Sequence, residues 1–124
     1  MKLKLRFLIA GISLTSVQAF AAEIDKSFEA RIIAACVKSV EQDGRKIPNY
    51  KAVCQCIGET HYNSAVGESI KAEAEDHIKW TAEFYEATDM KKLQRMVDRN
   101  PKWSSFDDQV VDDCMQSANQ GSKK

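Results

Sequence analysis

The 124-residue chain lacks the features that mark several large functional classes. Its 18 basic and 18 acidic side chains cancel, and no long block of one sign occurs. That argues against a disordered charged tail. No basic excess is present to neutralise phosphates, which argues against nucleic-acid binding as the main activity. No apolar run reaches the roughly 18 residues that a spanning helix requires, so no integral membrane segment is expected. No period-two strand pattern, internal repeat or low-complexity segment is present. Motifs of common chemistry are missing as well: no phosphate-cradling Gly-rich loop, no Asp-x-Asp-x-Asp-Gly calcium loop, no His-Glu-x-x-His and no Gly-x-Ser-x-Gly elbow. The expectation is a non-enzyme with no cofactor and no metal site.

What is present begins with an address. Residues 1–21 read MKLKLRFLIAGISLTSVQAFA. Lys2, Lys4 and Arg6 form a positive leader, and Phe7 to Val17 is mainly apolar. Ala19 and Ala21 are spaced as small residues at a signal-peptidase site. This predicts a secretory signal peptide cut before Ala22, and a periplasmic or secreted bacterial protein. No cysteine stands immediately after the cut, so a lipid anchor is not indicated. Three basic residues leave with the segment. Residues 22–124, read as one domain with a loose tail from about 121, then carry 15 basic against 18 acidic side chains.

All four cysteines, Cys36, Cys54, Cys56 and Cys114, lie in the mature part. An even count in a small exported chain predicts two disulfides. Of three pairings, Cys54–Cys56 closes a very small ring at odds with helical geometry. The other two both staple the N- and C-terminal segments to the middle one, and the sequence leaves them open. The rival reading is a soft-metal or thiol-redox pair at Cys54-x-Cys56. It lacks a second Cys-x-Cys, a close His pair and a Cys-x-x-Cys.

Apolar spacing predicts four or five helices. In 25–42, Phe28, Ile32, Ile33, Cys36, Val37 and Val40 share one face. Asp25 or Ser27 is expected to cap it, and Gly44 to stop it. Asn49 is a candidate cap for a second helix with a stripe of Tyr50, Val53, Cys54, Ile57 and His61. Residues two apart on a helix sit ~200° around its axis, so Cys54 and Cys56 are expected to face different neighbours. Gly58 weakens this helix or permits close packing. A turn is expected over Asn63 to Ser69. Ile70, Ala74, His77, Ile78, Thr81, Phe84 and Tyr85 then define a third helix, with Lys71, Glu73, Glu75, Asp76, Lys79 and Glu83 on its outer face. Thr88 and Asp89 read as a cap or turn before a short helix through Met90, Leu93, Met96 and Val97. Asn100-Pro101 is expected to end it. A capping-box-like Ser104-Ser-Phe-Asp107 precedes a last helix bearing Phe106, Val110, Cys114 and Ala118, closed by Gly121. The fold class is all-α: a compact bundle of four to five helices stapled by two disulfides.

Polar candidates are few. His61 and His77 both fall on apolar stripes, where histidine is more often a core or boundary residue than a catalyst. Asp107, Asp108, Asp112 and Asp113 can complement the helix dipole or line a weak cation site. Trp80 lies beside its helix stripe, and Trp103 is expected in a loop. Both are candidates for partner binding or for lids over a small core.

Cys36, the run Tyr50-Lys-Ala-Val-Cys54-Gln-Cys56 and the late Cys114 resemble a broad set of small exported proteobacterial proteins with a C…C-x-C…C helical layout. That resemblance implies a disulfide-stapled helical domain and carries no catalytic residues. In size and compartment the chain is also similar to periplasmic immunity proteins that neutralise toxins delivered by type VI secretion. The expected function is a non-catalytic periplasmic protein-binding module of inhibitor, immunity or adaptor type, with an unidentified protein partner. The alternatives are a thiol-redox or metal protein and an envelope-stress chaperone that loosens in acid.

Overall fold

The structure is a computed structural model that describes residues 24–122. The expected signal peptide lies outside the described residues. Five helices follow in order: α1 (Ser27–Asp43), α2 (Tyr50–Val66), α3 (Lys71–Glu86), α4 (Met90–Arg99) and α5 (Pro101–Ser122). The bundle is all-α, as the periodicity predicts, and two disulfides hold it.

Helix α2 is the central element, packed against α1, α3 and α5, while α1 also packs on α3. The core collects one stripe from each of four helices: Ile32 and Cys36 from α1, Val53, Cys54 and Ile57 from α2, Ala74, Ile78 and Ala82 from α3, Val110 and Cys114 from α5. Burying one such aliphatic side chain contributes about 1.5–3 kcal/mol. Helix α4 contributes no buried residue and rests mainly on α5.

Cys54 bonds to Cys36 on α1, and Cys56 bonds to Cys114 on α5. The divergence expected from their two-residue spacing is therefore realised, and α2 is tied to a neighbour on each side. Gly58 has a packing role. A Cβ there would run into Ile33 Cγ1 and approach Ile33 Cδ1 to 2.9 Å and the Glu29 carbonyl oxygen to 3.2 Å. The missing side chain lets α1 approach α2 closely. Across the other face of α1, the Arg31 guanidinium donates to both oxygens of Glu86 on α3, at 2.9 and 2.6 Å. This bidentate pair raises the Arg31 pKa and lowers that of Glu86, in each case chiefly through the side-chain hydrogen bond.

Helix ends follow the predicted chemistry in part. Asp25 Oδ1 accepts from Ser27 N–H at 2.9 Å, and Gly44 takes the left-handed conformation (φ 67°) that stops α1. Asp89 Oδ1 accepts from Lys91 N–H at 3.1 Å and starts α4. Asn49 stands at the start of α2 in a left-handed conformation without a side-chain cap bond.

Three boundaries differ from expectation. Helix α2 runs on to Val66, because Ala65 is buried and Gly67 N–H still donates to Asn63 O, so the turn expected from Asn63 shrinks to residues 67–70. Helix α3 starts at Lys71, with Ile70 extended and exposed. Helix α5 starts at Pro101, where proline's missing N–H costs nothing and its fixed φ suits a first helical residue. Trp103 therefore sits in the first turn of α5 and not in a loop. The Ser104–Asp107 spacing falls inside the helix, where it caps nothing. At its far end α5 passes through Gly121 to Ser122.

Candidate functional site

Three helices bring polar and aromatic side chains of their inward faces to one place. Helix α2 supplies His61, which follows Cys54, Ile57 and Gly58 on the buried face. Helix α3 supplies His77, Thr81 and Tyr85, four residues apart and stacked along one side. Helix α5 supplies Trp103, Phe106 and Asp107.

Asp107 is the centre. Its Oδ1 lies 2.8 Å from His61 Nε2 and accepts the Tyr85 hydroxyl at 2.7 Å. One carboxylate oxygen thus ties α2, α3 and α5 together. His61 is 3 % exposed and Asp107 5 %. Polar groups so deeply placed require mutual satisfaction, and these three provide it. Burial, with the carboxylate beside it, pushes the Tyr85 phenol far above its ordinary value, so the hydroxyl stays a donor.

An aromatic layer encloses the pair. Phe106 packs edge-on against both His61 and His77, with ring centroids 5.4 and 5.6 Å apart. His77 stacks flat on Trp103 at 4.8 Å, and Trp103 meets Trp80 edge-on at 5.7 Å. Trp80 in turn stacks on Phe84 at 4.9 Å. His77 Nε2 and Trp80 Nε1 are buried and have no hydrogen-bond partner among the described residues. Desolvation lowers the His77 pKa, and the neighbouring His61 ring adds to the effect; Glu68 and Asp107 oppose it.

The space beside the two histidines is about 10 Å³. A void of ~10–15 Å³ is the least that holds one water, so no substrate reaches His61 from there. The outer edge of His77 faces a surface cleft of about 570 Å³ that also includes Glu68, Glu73, Arg99, Lys102 and Trp103. A second cleft, of about 290 Å³ and mainly apolar, is bordered by Tyr50, Phe84, Tyr85, Leu93, Val111 and Met115.

The predicted residues are placed as follows. The four cysteines form two separate bridges, and no free cysteine is found among the described residues. Trp80 is only 8 % exposed and belongs to the aromatic layer, while Trp103 is half-buried at the mouth of the first cleft. Asp107 separates from its acidic neighbours: Asp108, Asp112 and Asp113 are exposed. Among the described residues no three His, Cys, Asp or Glu side chains form a group able to hold a metal ion. None of the described helices is long and apolar enough to cross a membrane.

Sequence reasoning missed Asp107 and Tyr85 as partners of His61. The available signal was phase. Trp103, Asp107, Val110 and Cys114 recur at i, i+4, i+7 and i+11, so Asp107 is an acid in register with an apolar stripe. No protein family, curated protein or solved structure matches the chain.

Proposed function

We propose that this chain is a non-catalytic protein-binding module of the bacterial periplasm, of inhibitor, immunity or adaptor type. One observation carries the reading: the His61–Asp107 pair is buried, and Asp107 Oδ1 joins three helices through His61 and the partly buried Tyr85. A catalytic acid or base has to reach a proton on its substrate. The cysteines support the same reading, since Cys54 and Cys56 leave α2 toward different helices and share no ligand between them. A rigid scaffold with two bridges suits binding, because a preorganised surface loses little entropy on association. The periplasmic assignment rests on the N-terminal pattern and on a disulfide-dense small domain.

Crosslinking in intact cells tests the binding role, and release by osmotic shock tests the compartment. The expected result is a discrete crosslinked product of higher mass, with the chain in the shock fluid. A chain that stays uncrosslinked, or stays with the cytoplasm, overturns the corresponding half.

A further inference from the structure

Helix α4 carries a charge arrangement that its own stability does not explain. Lys91, Arg95 and Arg99 line the face away from Leu93 and Val97, Lys92 stands at its edge beside Met96, and all four are exposed. Lys91, Arg95 and Arg99 follow at four-residue steps, where like charges repel. Lys91 and Lys92 stand in the first turn, at the positive end of the helix dipole, where a cation is disfavoured. Packing offers little in exchange: α4 buries no residue, and Met90 at its start is 75 % exposed. None of these cations, nor Lys102 beyond them, forms a salt bridge within 4 Å among the described residues, although Lys92 is near enough to Glu86 to help lower its pKa. The segregation is wider than the helix. Within Lys91–Lys102 there are five basic side chains and one acid, Asp98; the rest of residues 24–122 carries eight basic against sixteen acidic.

We propose that the outer face of α4 is a docking surface for a partner protein that presents an acidic patch. This rests on the protein-binding reading above and adds where the partner sits and what charge it carries. Charge complementarity sets the sign. The placement of the apolar residues selects protein over lipid. Leu93, Met96 and Val97 are half-buried against the domain, which leaves Met90 alone to enter an acyl layer. The acidic remainder of the domain also opposes approach to an anionic bilayer, whereas a local acidic patch on a protein meets α4 by itself.

The test uses the disulfide-intact protein and a decaglutamate peptide as probe, followed by amide chemical shifts. The expected shifts cluster in Lys91–Lys102. They fade as salt rises toward about 1 M, where the screening length falls to about 3 Å. They are lost in the K92E/R95E variant, while its melting temperature stays level or rises, because that change relieves repulsion in the helix. Shifts centred on another helix, or unchanged in K92E/R95E, overturn the proposal. Two further outcomes also overturn it: cosedimentation of the protein with phosphatidylglycerol vesicles when the peptide shifts nothing, and concentration-dependent self-association that K92E/R95E abolishes. In cells, a photoreactive residue at position 94 is expected to capture an acidic protein, with capture lost in R95E/R99E. Capture from position 79 on α3 but not from 94 leaves the protein-binding reading standing and removes α4. Capture from neither removes both.

Discussion

His61 Nε2 and Asp107 Oδ1 stand 2.8 Å apart beneath the surface, and the same oxygen accepts Tyr85 at 2.7 Å. The three residues belong to three helices, so the contact does for α2, α3 and α5 what the disulfides do for α1, α2 and α5. Removing the acceptor strands two buried donors. Asp107→Ala is expected to cost about 2–5 kcal/mol, because each buried donor left without an acceptor costs about 1–3 kcal/mol. Tyr85→Phe removes one donor and leaves Asp107 bonded to His61, so about 1 kcal/mol is expected. Urea denaturation of both variants and of the double variant checks this. The double variant should cost less than the two single losses added together, since the partners share one interaction.

His77 predicts a pH dependence. Burial, and secondarily the His61 ring, lower its folded pKa below the ordinary 6.5. The unfolded chain therefore binds the proton more readily, and stability rises with pH between the folded and unfolded values. The contribution is complete above about 6.5 and is lost as pH falls below that value. Thermal melts across the range from neutral to mildly acidic are expected to show a steady decline, and His77→Gln should flatten it. A wild-type slope that persists in the variant places the titrating group elsewhere.

The helices were readable because burial recurs with the helical period: Ile32 and Cys36, or Ala74, Ile78 and Ala82, are buried where that spacing puts them. The disulfide pairing was not readable. Cys36 and Cys114 both lie on buried faces, and which one meets Cys54 depends on the side of α2 that each neighbour takes, a property of the assembled bundle. Trp103 was misplaced for a local reason. Asn100-Pro101 ends one helix and begins the next, and a proline read only as a terminator hides its second role. Asp107 was masked by Asp108, Asp112 and Asp113, whose charge suggested a solvated surface, although its phase matches Val110 and Cys114.

The two bridges are expected to differ in weight. Cys36–Cys54 spans 18 residues of sequence and Cys56–Cys114 spans 58. Loop-closure entropy assigns about 3 kcal/mol to the shorter and about 4 kcal/mol to the longer. C36S/C54S should therefore retain more stability than C56S/C114S, measured by denaturant midpoint at equal slope. The native protein should also show no alkylation by iodoacetamide before reduction and four additions afterwards. Fewer than four, or any addition before reduction, contradicts two intact bridges.

Gly58→Ala tests how tightly α1 rests on α2. Two effects oppose one another. Alanine favours a helix interior over glycine by up to about 1 kcal/mol. The added Cβ meets Ile33 Cγ1 and Cδ1 and the Glu29 carbonyl, and backbone cannot step aside as a side-chain tip can. Overpacking of this kind costs about 1–3 kcal/mol. The steric cost wins, and a net loss of about 1 kcal/mol is expected in urea denaturation. Pairing the change with Ile33→Val, which removes Cδ1, should recover part of the loss; recovery is incomplete because valine keeps the γ carbon nearest the new atom and the Glu29 carbonyl remains 3.2 Å away. An alanine variant as stable as wild type shows that α1 can slide away from α2 despite the Cys36–Cys54 bridge and the Arg31–Glu86 pair that hold it.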